Sequence, residues 1–170
     1  MTRFTRCLVA VCAIAVAVSC NKSPTAPSGE GASLAVALSP ANEDIPVIGN
    51  EFLGTGSATI SFAITRDSAG AIASATAAFQ VSLLGFPPGT AVTLAHIHRG
   101  AAGTSGPVVV DTGLFPGELV LTTGTGAFTK AGISVQPDLV QEMLTTPGAF
   151  YFNVYSALNI TGMARGQLVK

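Results

Sequence analysis

The sequence is short of charge. Its 170 residues hold 8 Lys and Arg against 9 Asp and Glu, a net charge of −1 at neutral pH, and the basic residues never form a run. A chain without a basic patch lacks the electrostatic footprint on which nucleic-acid binding depends, so that class of partner is excluded. Cysteine is scarce too. The three present, Cys7, Cys12 and Cys20, all fall in the first twenty positions, so no disulfide framework braces the rest of the chain. Only two histidines occur, His96 and His98. There is no G-x-S-x-G elbow, no glycine-rich loop ending in GK[ST] and no convincing carboxylate pair, so nucleophilic, phosphate-cradling and glycosidase chemistry have no visible residues. The chain therefore reads as a non-enzyme with no expected cofactor. What it does have is a hydrophobic fraction of 48%, with 19 Gly and 10 Pro, which suits one domain of many short elements joined by turns.

The first nineteen residues read as an export signal. Arg3 and Arg6 precede the apolar run Cys7 to Val18, which is too short for a spanning helix of about 20 residues. Ala17 to Cys20 reads AVSC, small residues ahead of a cysteine, and resembles the lipobox of bacterial lipoproteins. That resemblance implies cleavage before Cys20 and acylation of its sulfur, which anchors the chain to a membrane facing the periplasm or the exterior. Asn21 comes next rather than Asp, which favours the outer membrane where the host has one. Residues 20–33 then read as the lipidated cysteine and a flexible tether, because Pro, Ser, Gly, Thr and Ala dominate and no large apolar side chain is present. Without an excess of positive charge, the acyl chains have to supply the membrane attachment.

Residues 34–170 read as a folded all-β domain. Leu34, Val36 and Leu38 alternate with small or polar residues, as do Ile60, Phe62 and Ile64, and Phe79, Val81 and Leu83; this is the period of strands with one buried face. Further short segments at 92–98, 108–110, 119–121, 150–154 and 166–169 bring the expectation to about eight strands in a Greek-key-like sandwich. One stretch breaks the pattern. Pro137 to Thr146 places Leu139, Val140, Met143 and Leu144 on one helical face between a first-turn proline and Pro147-Gly148, which predicts a short helix over 137–146.

Two motifs stand out: AHIHRGAAGTSGPVVVD at 95–111 and YFNVYSALNITGMARGQL at 151–168, with NEDIPV at 42–47 upstream. Together they resemble the CHRD domain, a module of chordin and of bacterial exported proteins, over nearly all of the folded part. The resemblance implies a β-sandwich and does not imply an enzyme. The chain departs from the family pattern at Tyr155 and Ser156, where His and Thr are common, and at Met163, where Glu is common.

The polar residues of those motifs form the candidate cluster: His96, His98, Asp111, Asn153, Tyr155 and Arg165. On a strand, His96 and His98 face one side while Ile97 faces the other. One reading is structural, with an imidazole paired to Asp111, Tyr155 or a backbone carbonyl, Arg165 tying loops together and Asn153 capping a neighbouring loop. The alternative is a copper or zinc site, since H-x-H on a sandwich is distantly similar to the copper strand of copper-zinc superoxide dismutase. With two histidines available, such a site has to recruit Asp111, Asp67 or Glu118, or a second molecule. Gly100, Gly103 and Gly106 read as turn chemistry. The expected function is a lipid-anchored extracytoplasmic binding or structural module of the cell envelope, whose partner is an envelope or extracellular protein or a glycan. The metal-binding sandwich and a self-associating surface or adhesion module are the alternatives.

Overall fold

The structure, a computed structural model, describes residues 30–170. The signal segment, Cys20 and the first part of the tether lie outside the described residues.

Two antiparallel sheets pack face to face. Sheet one has the order β1-β2-β3-β7, formed by β1 (Glu30–Leu38), β2 (Thr55–Arg66), β3 (Ile72–Leu84) and β7 (Gly126–Val135). In sheet two, β5 (Val108–Asp111), β4 (Thr90–Arg99), β8 (Phe150–Ser156) and β9 (Ala164–Gln167) lie in that order, and the short β6 (Leu119–Leu121) pairs with the start of β4. The chain thus crosses between sheets from β3 to β4 and returns with β7. Along one side, isolated bridges at Ala35–Val169 and Ser39–Arg165 join β1 to the last strand's neighbourhood.

The alternating apolar residues point where their period places them. Leu34, Val36, Leu38, Ile60, Phe62, Ile64, Phe79, Val81 and Leu83 from sheet one meet Val92, Ala95, Ile97, Phe150, Phe152 and Val154 from sheet two. The rings of Phe79 and Phe152 stack across the interface with centroids 5.9 Å apart. Each such large side chain contributes about 1.5–3 kcal/mol by leaving water.

The sandwich expectation holds, with two differences. First, β1 begins at Glu30, inside the stretch read as tether. Second, there is a ninth strand, β7, whose alternation is broken in the middle. Phe128 and Lys130 turn partly inward, then the parity flips so that Ile133 and Val135 do. The cause is a bulge at Ala131-Gly132, opposite Ala78, where Gly132 takes a φ of 73° that side chains with a Cβ avoid. The expected helix is present as α1 (Pro137–Thr145), with Pro137 in its first turn and Val140 and Met143 buried.

Between β1 and β2 the chain does not turn directly. Residues 39–54 form a strap with two 3-10 turns, Pro40–Asn42 and Gly49–Leu53, that crosses the outer face of sheet two. That crossing explains why β8 is buried at every position but Tyr155, on both of its faces.

Candidate functional site

Strand register assembles the cluster. His96 lies opposite Asp111 on one side and Asn153 on the other, and Asn153 lies opposite Arg165, so four of the candidate residues form one rank across β5, β4, β8 and β9. In the next rank His98 faces Tyr151, which faces Gln167. Tyr155 comes two residues after Asn153 on the same face of β8. All six candidates therefore share the outer face of sheet two, while Ala95 and Ile97 take the core side.

His98 is held at both nitrogens. Its Nδ1 stands 2.9 Å from the carbonyl of Gly106 and its Nε2 stands 2.7 Å from the Tyr155 hydroxyl. A carbonyl can only accept, so Nδ1 carries the proton and donates; Nε2 then accepts from the tyrosine O–H. This assignment needs a neutral ring. Burial lowers the His98 pKa, and His96 and Arg165 lower it further, while the bond to Gly106 opposes them. Burial likewise lowers that of His96 against the pull of Asp111, whose Oδ1 is 3.7 Å from Nε2. Burial also pushes the Tyr155 hydroxyl up to about 12, so it remains a donor across the physiological range.

Arg165 is the largest fully buried side chain, 1% exposed. Its guanidinium lies 3.4 Å from the centroid of Tyr151, the ring on which His98 stacks at 4.8 Å. Nη2 donates to the carbonyls of Ala101 and Thr104 at 2.9 and 2.8 Å, closing the glycine-rich 100–106 loop onto the sheet. Nη1 sits 3.9 Å from Asp44, which in turn accepts a hydrogen bond from Ser105 of that loop. That bond, foremost, lowers the Asp44 pKa. One cation thus ties strap, loop and sheet together, the geometry for which a planar five-donor group is suited.

The strap supplies a second carboxyl. Glu43 reaches Asn153, whose Nδ2 donates to Oε2 at 3.4 Å, and both lie over Gly162. A Cβ at Gly162 would come within 2.6 Å of both Glu43 oxygens, so only glycine leaves room for the pair. Burial pushes the Glu43 carboxyl up to about 8 despite the opposing pull of Arg165. Glu43 Oε1, His96 Nδ1 and Asn153 Oδ1 are buried without a hydrogen-bond partner among the described residues, so each carries a desolvation cost that the protein's own groups leave unmet.

Of the recruits considered for a metal site, Asp111 stands beside His96, and the other two lie elsewhere. Asp67 turns the β2–β3 connection in the opposite sheet, accepting from the amides of Ala69 and Ala71, and Glu118 pairs with Lys130. Among the described residues no group of three His, Cys, Asp or Glu stands close enough to hold a metal ion. Chelation through His98 would also require breaking one of its two hydrogen bonds.

Sequence reasoning missed Tyr151, Glu43, Asp44 and the pair Glu51 and Asn159. Tyr151 was within reach, since it shares a strand face with Asn153 and Tyr155. Glu43 and Asp44 stand out in the sequence only as part of the NEDIPV motif; the partner of Glu43 lies 110 positions away, and no local pattern links the two.

The site is a buried polar brace on the outside of a two-sheet sandwich, pinned beneath a strap and a glycine-rich loop that both come from motif segments. The chain belongs to the CHRD domain family, whose pattern it matches over residues 34–168. No curated relative and no solved structure matched it.

Proposed function

We propose that this CHRD-domain protein is an exported, lipid-anchored module that presents a rigid binding or structural surface at the cell envelope and performs no turnover of its own. The observation that carries the reading is the occupation of the polar cluster. His98 has both nitrogens engaged, Arg165 spans three segments, and Tyr155 serves as a donor to His98. Groups spent in this way hold loops in place; a catalytic base or nucleophile needs a free atom facing a cleft. A cleft of about 450 Å³ does take in Glu43, whose Oε1 is unpaired, but its other walls, among them Ala37, Asn42, Gly103 and Gln167, carry no second titratable or nucleophilic side chain, and neither histidine reaches it.

Anchorage is supported by AVSC at 17–20 and by the short distance in sequence from Cys20 to the first strand at Glu30. Among the described residues no helix is long and apolar enough to cross a membrane. Fractionation of cells expressing the full chain tests it. The wild-type protein should sediment with membranes and take up labelled fatty acid, and Cys20→Ala should move it to the soluble fraction without label. A wild-type protein that is soluble and unlabelled defeats the anchor.

A further inference from the structure

The end of the sandwich where β1 gives way to the strap carries a patch of outward-facing apolar side chains. Ile48, Phe52 and Leu53 of the strap are 58%, 57% and 63% exposed, and Leu158 and Ile160 of the β8–β9 turn are 52% and 78% exposed. The two segments are far apart in sequence and locked together in space. The Ile48 amide donates to Asn159 Oδ1 at 2.9 Å and Asn159 Nδ2 donates to the Ile48 carbonyl at 3.2 Å, so one side chain pairs with both backbone groups. The buried Glu51 carboxylate accepts from Ser156 Oγ at 2.6 Å and from Asn159 Nδ2 at 2.7 Å. Leu158 lies against Gly49, where an added Cβ would be 3.0 Å from its Cδ2. A buried carboxylate and its hydrogen-bonding partners hold five large apolar groups in water, an arrangement that stabilises the monomer poorly and preorganises an interface well.

We propose that this end is a self-association surface on which a second copy of the chain docks, apolar patch to apolar patch, about a two-fold axis. Charge favours that occupant. Residues 45–53 and 157–163 contain one ionisable side chain, Glu51, and it is buried, so two copies meet without like-charge repulsion. The same absence leaves no cation to hold anionic lipid. Area agrees: five half-exposed to three-quarter-exposed side chains offer on the order of 500–600 Å² per copy, and about 1,200 Å² for a pair reaches the lower bound of specific interfaces. One further consideration rests on the anchored reading. Leu53 leads into Gly54 and Thr55, whose hydroxyl bonds the Leu38 carbonyl, so the patch lies at the far end of β1 from Glu30. Nine strand residues rise about 30 Å, and the ten residues from Cys20 to Glu30 span at most about 36 Å, so the patch reaches the anchoring membrane only with the tether almost fully extended and the domain turned back along it.

Sedimentation velocity on residues 30–170, which hold every core residue from Leu34 to Leu168, tests the proposal. Wild type should shift from monomer to dimer between about 1 and 200 µM, and Ile160→Asp and Leu158→Asp should each weaken the dimer at least ~10-fold with thermal unfolding unchanged. A monomer throughout that range, or a dimer indifferent to both substitutions, overturns it. Flotation of the same fragment with phosphatidylcholine vesicles, abolished by Ile160→Asp, also overturns it by giving the patch to lipid. The fragment lacks Cys20, so these outcomes are independent of whether the full chain is anchored.

Discussion

On the outer face of sheet one, Ser57, Thr59 and Ser61 of β2 stand in solvent beside Thr76, Gln80 and Ser82 of β3. On the outer face of sheet two, Tyr151, Asn153 and Arg165 are buried under the strap and the 100–106 loop. Both faces arise from the same alternation of strand residues. The difference lies in what crosses them. An uncovered face needs only small or polar side chains that tolerate water, whereas a covered face made of polar residues has to satisfy each buried donor and acceptor with a specific partner. Substitutions should therefore be almost silent on one sheet and costly on the other.

Arg165→Met offers the largest expected contrast. Removing the guanidinium leaves two loop carbonyls unpaired and Asp44 without its cation, which should cost about 3–5 kcal/mol in urea unfolding. A loss below about 1 kcal/mol would mean that the strap and loop stay in place without it.

Glu43 sharpens the comparison through pH. Its folded pKa, about 8, is raised above the unfolded value of 4.5, so the folded state holds a proton that the unfolded state has released. That contribution is complete below pH 4.5 and is lost progressively as pH rises to 8. Glu43→Gln, which stays uncharged, should match wild type at acidic pH and exceed it by about 2 kcal/mol at pH 9, after allowance for the group's partial exposure. Parallel melting curves for the two proteins from pH 5 to 9 would count against burial as the cause.

Tyr155→Phe deletes the donor to His98 Nε2 and keeps the ring. A loss of about 1–2 kcal/mol is expected from the acceptor left unsatisfied, and the His98 pKa measured by NMR should move as its hydrogen bonding changes. An unchanged His98 titration would show that the hydroxyl does not hold the ring. The smallest effect belongs to the other sheet: Thr59→Ala, exposed in the middle of β2, should change stability by less than about 0.5 kcal/mol.

Much of this architecture was legible from local pattern. Leu34, Val36 and Leu38, or Ile60, Phe62 and Ile64, announce strands because a period of two is a property of neighbouring residues. Pro137 and the Pro147-Gly148 stop delimit a helix for equally local reasons. β7 escaped because the bulge at Gly132 inverts the inward parity midway, so neither half shows a long enough alternation. In the site, the shared face of His96 and His98 came from their spacing. The rank that His96 forms with Asp111, Asn153 and Arg165 did not, because register between strands depends on pairing partners that the sequence does not mark.

The sequence by itself determined the strand segments other than β7, where they turn and which residues alternate inward, since backbone preference and apolar period act over a few positions. Only the tertiary structure decided that one outer face is bare and the other covered. Covering it requires Glu43, Asp44 and Glu51 to travel with the strap onto residues more than a hundred positions away, and the burial that raises the Glu43 pKa comes into being with that contact.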